Sequence, residues 1–123
     1  MIFRLAEQYL IRAEAQAEGA GNGIGGAIAD LDVIRERAGL AGYAGPATPD
    51  SVLAAIMHER QVELFCEWGN RWFDLKRTGT VNAILGAPGK EKPNWPAGGY
   101  AALYPIPQPQ IQLNPFLTQN PGY

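Results

Sequence analysis

The sequence predicts an all-α protein in two parts, a helical body over residues 1–79 and an irregular Pro/Gly-rich wrap over residues 80–123. Three observations carry this. Apolar residues recur at three- and four-residue steps in three separate stretches of the body. Glycines punctuate the gaps between those stretches, at Gly19–Gly26 and at Gly39. Eight of the ten prolines (Pro88, Pro93, Pro96, Pro105, Pro107, Pro109, Pro115 and Pro121) follow Leu85. Proline fixes its own φ and brings no backbone donor, so the last third is not expected to form regular helix.

The first helix is expected from about Phe3 to Glu18, with Leu5, Tyr9, Ala13 and Ala17 as its apolar stripe. Met1-Ile2-Phe3 offers no Ser, Thr, Asp or Asn to cap its start, which points to a chain continued from something longer, the alternative being a frayed natural N-terminus. The second helix is expected from about Ala27 to Ala38 on Ile28, Leu31, Ile34 and Ala38, stopped by Gly39. Thr48-Pro49-Asp50 opens the third with a capping residue, a proline at the first helical position and an acid in the first turn. That helix carries Leu53, Ile56, Met57, Leu64 and Trp68. It is expected to continue, kinked near Gly69, through Trp72 and Leu75 to a stop at Thr78-Gly79. Lys76 and Arg77 complement its negative end. Beyond it the expectation is loops, with one short extended stretch around Tyr104 to Ile106.

Composition excludes several classes. With 46% hydrophobic and 18% charged residues, the chain carries too much apolar material for a disordered tail. A net charge of −2, without a Lys/Arg cluster, argues against nucleic-acid binding. The apolar runs are too short to span a bilayer, and no signal-peptide pattern opens the sequence. The single cysteine, Cys66, excludes an internal disulfide and is expected as a small buried apolar residue.

Gly21-Asn22-Gly23-Ile24-Gly25-Gly26 matches the G-x-G-x-x-G pattern of dinucleotide sites, but that motif needs a strand before the turn. Here Arg12–Glu18 is helical, so a helix–helix connection is expected. Ser51 and His58, the sole serine and the sole histidine, lie seven residues apart on one helix. That spacing puts them roughly 10 Å apart along the axis, too far for a nucleophile–base pair. Cys66 and His58 fail in the same way, and one of each cannot build a usual zinc site. No cofactor and no metal are expected.

Glu59, Glu63, Glu67 and Arg71 fall at successive four-residue steps, with Arg60 in the apolar stripe and Asp74 three beyond Arg71. Paired carboxylates can do acid–base work or bind a hard cation. The interleaved arginines point instead to a structural ion-pair lattice tying the third helix to Arg35 and Arg37 of the second. Asn94, Trp95 and Tyr100 lie in the Gly/Pro-rich loop and fit sugar binding, where rings stack on apolar sugar faces and amides fix hydroxyls. The alternative is that Trp95 packs back on its own helices. Trp68, Trp72 and Phe73 are at helical spacing and are expected in the core.

The run Glu59-Arg60-x-x-Glu63-Leu64-x-x-Glu67-Trp68-Gly69-Asn70-Arg71-Trp72-Phe73-Asp74-Leu75-Lys76-Arg77-Thr78-Gly79 resembles the signature of the SusD/RagB family. Upstream, so do Tyr9-Leu10-Ile11-Arg12-Ala13-Glu14-Ala15 and Asp30-Leu31-Asp32-x-Ile34-Arg35-x-Arg37-Ala38-Gly39-Leu40. Tyr104-Pro105-Ile106-Pro107, Asn114-Pro115 and Gln119-Asn120-Pro121-Gly122-Tyr123 resemble its ending. Asp32, where the family usually has Asn, and Asn70, often His, are small departures. The resemblance implies a fold of tetratricopeptide-like helix pairs. It also implies a non-enzymatic, lipid-anchored outer-membrane protein of the cell surface that captures glycans or other nutrients. Such proteins act as the lid of a SusC-like TonB-dependent transporter. Members are several times this length, so this region would be the C-terminal part, with the lipid-bearing cysteine and export signal upstream. No ligand residue carries over by motif.

A chain taken from a longer helical array is also expected to leave the outer face of its first helix, with Leu5 and Tyr9, open to self-association. Two other function classes stay in view. A helical-repeat scaffold for protein partners would show several repeats of ~34 residues, whereas one helix pair is convincing here. A carbohydrate-active enzyme would need two carboxylates facing a cleft.

Overall fold

The computed structural model describes residues 4–87, 89, 94–96 and 98–123. Met1–Phe3, Pro88, Lys92, Pro93 and Ala97, which the sequence reading used, lie outside them. The described residues hold six α-helices: α1 (Leu5–Ala17), α2 (Gly23–Arg37), α3 (Pro49–Glu63), α4 (Asn70–Arg77), α5 (Val81–Leu85) and α6 (Gln108–Leu113). They contain no strand, so the fold is all-α. The chain divides into two compact units, Met1–Arg71 and Trp72–Tyr123.

In the first unit α1, α2 and α3 each pack on the other two. Its core is Ala6, Leu10, Ala13 and Ala17 of α1, Ala27, Leu31 and Ile34 of α2, and Val52 and Ile56 of α3. Alanines dominate the α1 side, and short side chains let helix backbones approach closely. Ala13 and Ala17 of the expected stripe are buried, but its first half is shifted by one residue. Ala6 and Leu10 face the core, while Leu5 is 74% exposed and Tyr9 only partly buried. Leu5 and Tyr9 share the helical spacing but lie on the flank of the apolar face at this end of α1.

Glycine-terminated stops recur. After α1 the Gly19 N–H bonds the Gln16 carbonyl and the Ala20 N–H bonds that of Ala15. The same pair of bonds follows α2 at Gly39 and Leu40, and α4 at Gly79 and Thr80. Gly19, Gly39 and Gly79 all have positive φ, and this is the Schellman stop that glycine permits at low cost. α2 starts at Gly23, four residues before the expected start, so the glycine run is partly helical. At the start of α3, the Thr48 hydroxyl bonds the Ser51 hydroxyl at 2.9 Å rather than a backbone N–H.

α1 and α2 are also joined by a polar contact. Asp30 of α2 is buried and accepts two bonds from the Arg12 guanidinium, at 2.6 and 2.7 Å, and one from the Gln16 amide at 2.7 Å. That hydrogen bond, then the charge of Asp30, raises the Arg12 guanidinium above its ordinary value. Asp32 accepts the Tyr43 N–H at 2.6 Å and so anchors the loop leading to α3. A carboxylate does there what an amide oxygen would do equally well.

The third helix is shorter than expected. α3 ends at Glu63, and residues 64–69 form turns before α4 begins. Cys66 (φ 58°) and Trp68 (φ 47°) adopt the left-handed region beside Gly69 (φ 72°). A non-glycine residue there costs on the order of 1 kcal/mol or more, which no helix-stop signal in the sequence announces. The break exposes Cys66 and Trp68, overturning the expectation that both are buried. The proline-rich part is not all loop either. α5 precedes most of the prolines, and α6 places Pro109 in its first turn, where a missing N–H costs nothing.

Two adjacent glycines in α2 should respond oppositely to alanine. A Cβ on Gly25 meets nothing within 4 Å, so Gly25→Ala gains helix propensity of up to about 1 kcal/mol. A Cβ on Gly26 collides with Gln16 Oε1 and lies 2.7 Å from Asn22 Cβ. Gln16 can swing away only by giving up its bond to Asp30, so overpacking of about 1–3 kcal/mol outweighs the propensity gain. Urea unfolding should show Gly25→Ala stabilised and Gly26→Ala destabilised; the same sign for both would contradict this packing.

Candidate functional site

The charged residues expected to form a structural ion-pair lattice lie on two helices and the turn between them. Glu59, Arg60 and Glu63 lie on α3, Glu67 in the following turn, and Arg71 and Asp74 on α4. Arg60 is buried and Arg71 half-buried. Glu59 pairs with Arg35 at 3.4 Å, and Asp74 with Arg77 of its own helix at 2.9 Å. Glu63 is the junction. Its carboxylate pairs with Arg37, the last residue of α2, at 2.6 Å and with Arg4, just before α1.

Arg4 also donates to the Glu63 backbone carbonyl at 2.9 Å and to Glu67 Oε1 at 2.6 Å. One guanidinium therefore holds the end of α3 and the turn beyond it. The carbonyl it takes is among those left without a partner at a helix C-terminus. Nothing in sequence spacing pointed to Arg4, which lies 59 residues from Glu63. The only available signal was a cation placed next to an uncapped helix start.

In the second unit, Leu75, Val81 and Leu85 form a small core on which Trp72, Ile84, Trp95 and Ala102 pack. Trp72, expected in the core, is half-buried at the edge of this one, whereas Phe73, also expected in the core, is 62% exposed. Shortening α4 to eight residues leaves one narrow buried face, at Asp74 and Leu75.

The Trp72 ring lies 6.3 Å from Trp95 and 6.0 Å from Tyr104, tilted to both, with the Lys76 ammonium 5.7 Å from its centroid. That ammonium also donates to the Ala102 carbonyl.

The loop residues proposed for ligand contact are placed differently from one another. Trp95 is half-buried, and its indole N–H donates to Asn82 of α5 at 3.0 Å. Asn82 also lies against Gly99 (φ 66°), where any side chain would strike its amide. The loop therefore packs onto α5, and Trp95 presents only part of its ring. Asn94 is exposed in the preceding turn. Tyr100 is 38% exposed and meets Tyr123 edge-on at 5.2 Å. The ring contacts of Trp95 and Tyr100 thus run to different partners.

Among the described residues no group of three or more His, Cys, Asp or Glu could hold a metal ion. No described helix is long and apolar enough to cross a membrane. His58 is exposed, and each carboxylate named here is engaged by an arginine.

Comparison with known proteins covers the whole chain. The model of the SusD family matches residues 1–123. The SusD-like protein P2 of Formosa agariphila is 36% identical over 98% of the chain and 25% of its own length. The starch-binding protein SusD of Bacteroides thetaiotaomicron is 33% identical over 99% of the chain and 21% of its own length. A SusD superfamily crystal structure from Bacteroides vulgatus superposes with a TM-score of 0.79 at 29% identity, over 99% of this chain and 27% of that one. One from Parabacteroides distasonis gives 0.75 at 32% identity, over 99% and 27%. The chain therefore spans about a quarter of the length of its relatives.

The two glutamates held by Arg4 should differ in weight. The Glu63 side chain is 11% exposed and serves two arginines, while that of Glu67 is 35% exposed and serves one. Glu63→Ala should cost about 1–3 kcal/mol by leaving the half-buried Arg4 guanidinium and the exposed Arg37 without their shared acceptor. Glu67→Ala should cost about 0–1 kcal/mol, in the range of surface pairs. Denaturant midpoints test the ordering, and equal losses would contradict it.

Proposed function

This chain belongs to the SusD family, and from that premise we propose that it is part of a non-catalytic cell-surface protein that binds glycans or other nutrients. The observation that carries the reading is a family match along the full chain, with one matched relative named for starch binding. The protein would be lipid-anchored at the outer membrane and would pass its ligand to a SusC-like TonB-dependent transporter. The arginine-engaged carboxylates support a binding rather than a catalytic role, because a general acid needs a carboxyl available for proton transfer. Ser51 and His58, on one helix, support it too.

Asn94, Trp95 and Tyr100 are the proposed ligand contacts within this region. Trp95 is held in place by Trp72 and Asn82, so its accessible ring portion is preorganised. Preorganisation lowers the ordering cost of binding. Asn94 and Tyr100 add exposed hydrogen-bonding groups. The outer face of α1 favours a second role, association with protein. Leu5 and Ile11 are exposed there, and with Gln8, Tyr9, Arg12 and Ala15 they line an open groove of about 420 Å³.

A site built from part of the protein should bind weakly. Titration with starch oligosaccharides, followed by tryptophan fluorescence, should give a Kd of about 1 mM or weaker, near −4 kcal/mol. Trp95→Ala should weaken it further, and chromatography should recover the sugars intact. Cleavage products, or micromolar binding indifferent to Trp95→Ala, would overturn the reading.

Light scattering should also show self-association at high concentration that Ile11→Glu reduces. A strict monomer at every concentration would remove the α1 face from consideration.

A further inference from the structure

We infer that the C-terminal residues Gln119–Tyr123 act as a side-chain clasp that fixes the backbone of residues 103–106. The clasp thereby sets two rings, Tyr104 through that backbone and Tyr100 by direct contact. The reason begins with two prolines. Pro105 and Pro107 have no N–H, so Ile106 supplies the one backbone donor of the three residues, and a regular strand ladder cannot form. The segment is also poor in burial, with Leu103 50% and Tyr104 74% exposed, so packing alone does not hold it.

Side chains of the tail supply what a neighbouring strand would. The Gln119 carboxamide accepts the Ile106 N–H at 2.7 Å and donates to the Ile106 carbonyl at 3.0 Å. That is the two-bond exchange of one antiparallel ladder pair, made by a side chain. Its oxygen also accepts the Asn120 N–H at 2.9 Å, which fixes the orientation of the amide.

The Asn120 amide donates to the Tyr104 carbonyl at 2.6 Å, and the Tyr123 hydroxyl donates to the Leu103 carbonyl at 2.8 Å. Three carbonyls and one N–H are thus satisfied by three tail side chains. Gly122 (φ 94°) brings the tail against the Tyr100 ring, where any side chain would collide with it, and Tyr123 closes on Tyr100 edge-on. Tyr104, held at its carbonyl, lies beside Trp72.

Only the link from the clasp to ligand rests on the proposed function; the clasp stands on this hydrogen-bond geometry. Residue-resolved amide exchange on the full chain, without ligand, tests it. In Gln119→Ala the Ile106 amide should exchange about tenfold faster, the loss expected for a hydrogen bond that closes a local opening. Amides of α1 should be unchanged.

Gln119→Glu keeps an acceptor but replaces the donor with a carboxylate oxygen facing the Ile106 carbonyl, so Ile106 exchange should accelerate in it as well. Unchanged Ile106 exchange in Gln119→Ala, full protection kept in Gln119→Glu, or equal acceleration throughout α1 would each overturn the clasp. Because no sugar enters the measurement, a protein that binds no glycan would leave this result standing.

Discussion

Three helix ends meet at the carboxylate of Glu63, and the arrangement of the first unit depends on it. Arg4 precedes α1, Arg37 ends α2 and Glu63 ends α3. A carboxylate at a helix C-terminus faces the negative end of the helix dipole, which disfavours it by a few tenths to about 1 kcal/mol. Two arginines reverse that balance here, and one of them also takes the final carbonyl of α3. Arg37 is in turn well placed at the end of α2, where a cation is favoured. The same junction supports the turn at residues 64–69, whose two left-handed non-glycine residues need surrounding contacts to persist.

Satisfaction of backbone and buried polar groups by side chains is the theme common to both units. Asp30 gathers donors from α1, Asp32 fixes the loop before α3, and Arg4 closes the end of α3. In the second unit the prolines remove the option of regular backbone pairing. Asn82 holds the Trp95 loop there, and tail amides hold the segment around Ile106. Under the proposed binding role this has a use. Aromatic rings on irregular backbone are kept in place without a sheet or long helix beneath them, and irregular backbone is where binding surfaces vary most readily.

Much of the fold was legible in the sequence, for identifiable reasons. The all-α class followed from apolar periodicity, and the stops at Gly19, Gly39 and Gly79 from glycine placement. The start of α3 followed from Thr48-Pro49. The end of α3 was not legible, because Leu64–Trp68 contains no glycine or proline, and the break lies where long-range contacts from Arg4 hold the chain end. Once α3 stops there, Cys66 and Trp68 lose the helical positions that would have buried them.

The helices α5 and α6 escaped a reading that took proline as a uniform breaker; Pro109 sits where a helix tolerates it. At the candidate site, Asn94, Trp95 and Tyr100 are candidates by residue type alone. The partners Asn82, Trp72 and Tyr123 that decide how those rings are held come from contacts that spacing does not encode.

The central claim is that Arg4 and Glu63 act as one unit joining the helix ends, and a double-mutant cycle on this pair tests it most directly. Unfolding free energies of Arg4→Ala, Glu63→Ala and the double variant should be strongly non-additive, with a coupling of about 1 kcal/mol or more. Losses that add to within about 0.3 kcal/mol would mean the two residues act independently and would contradict the account.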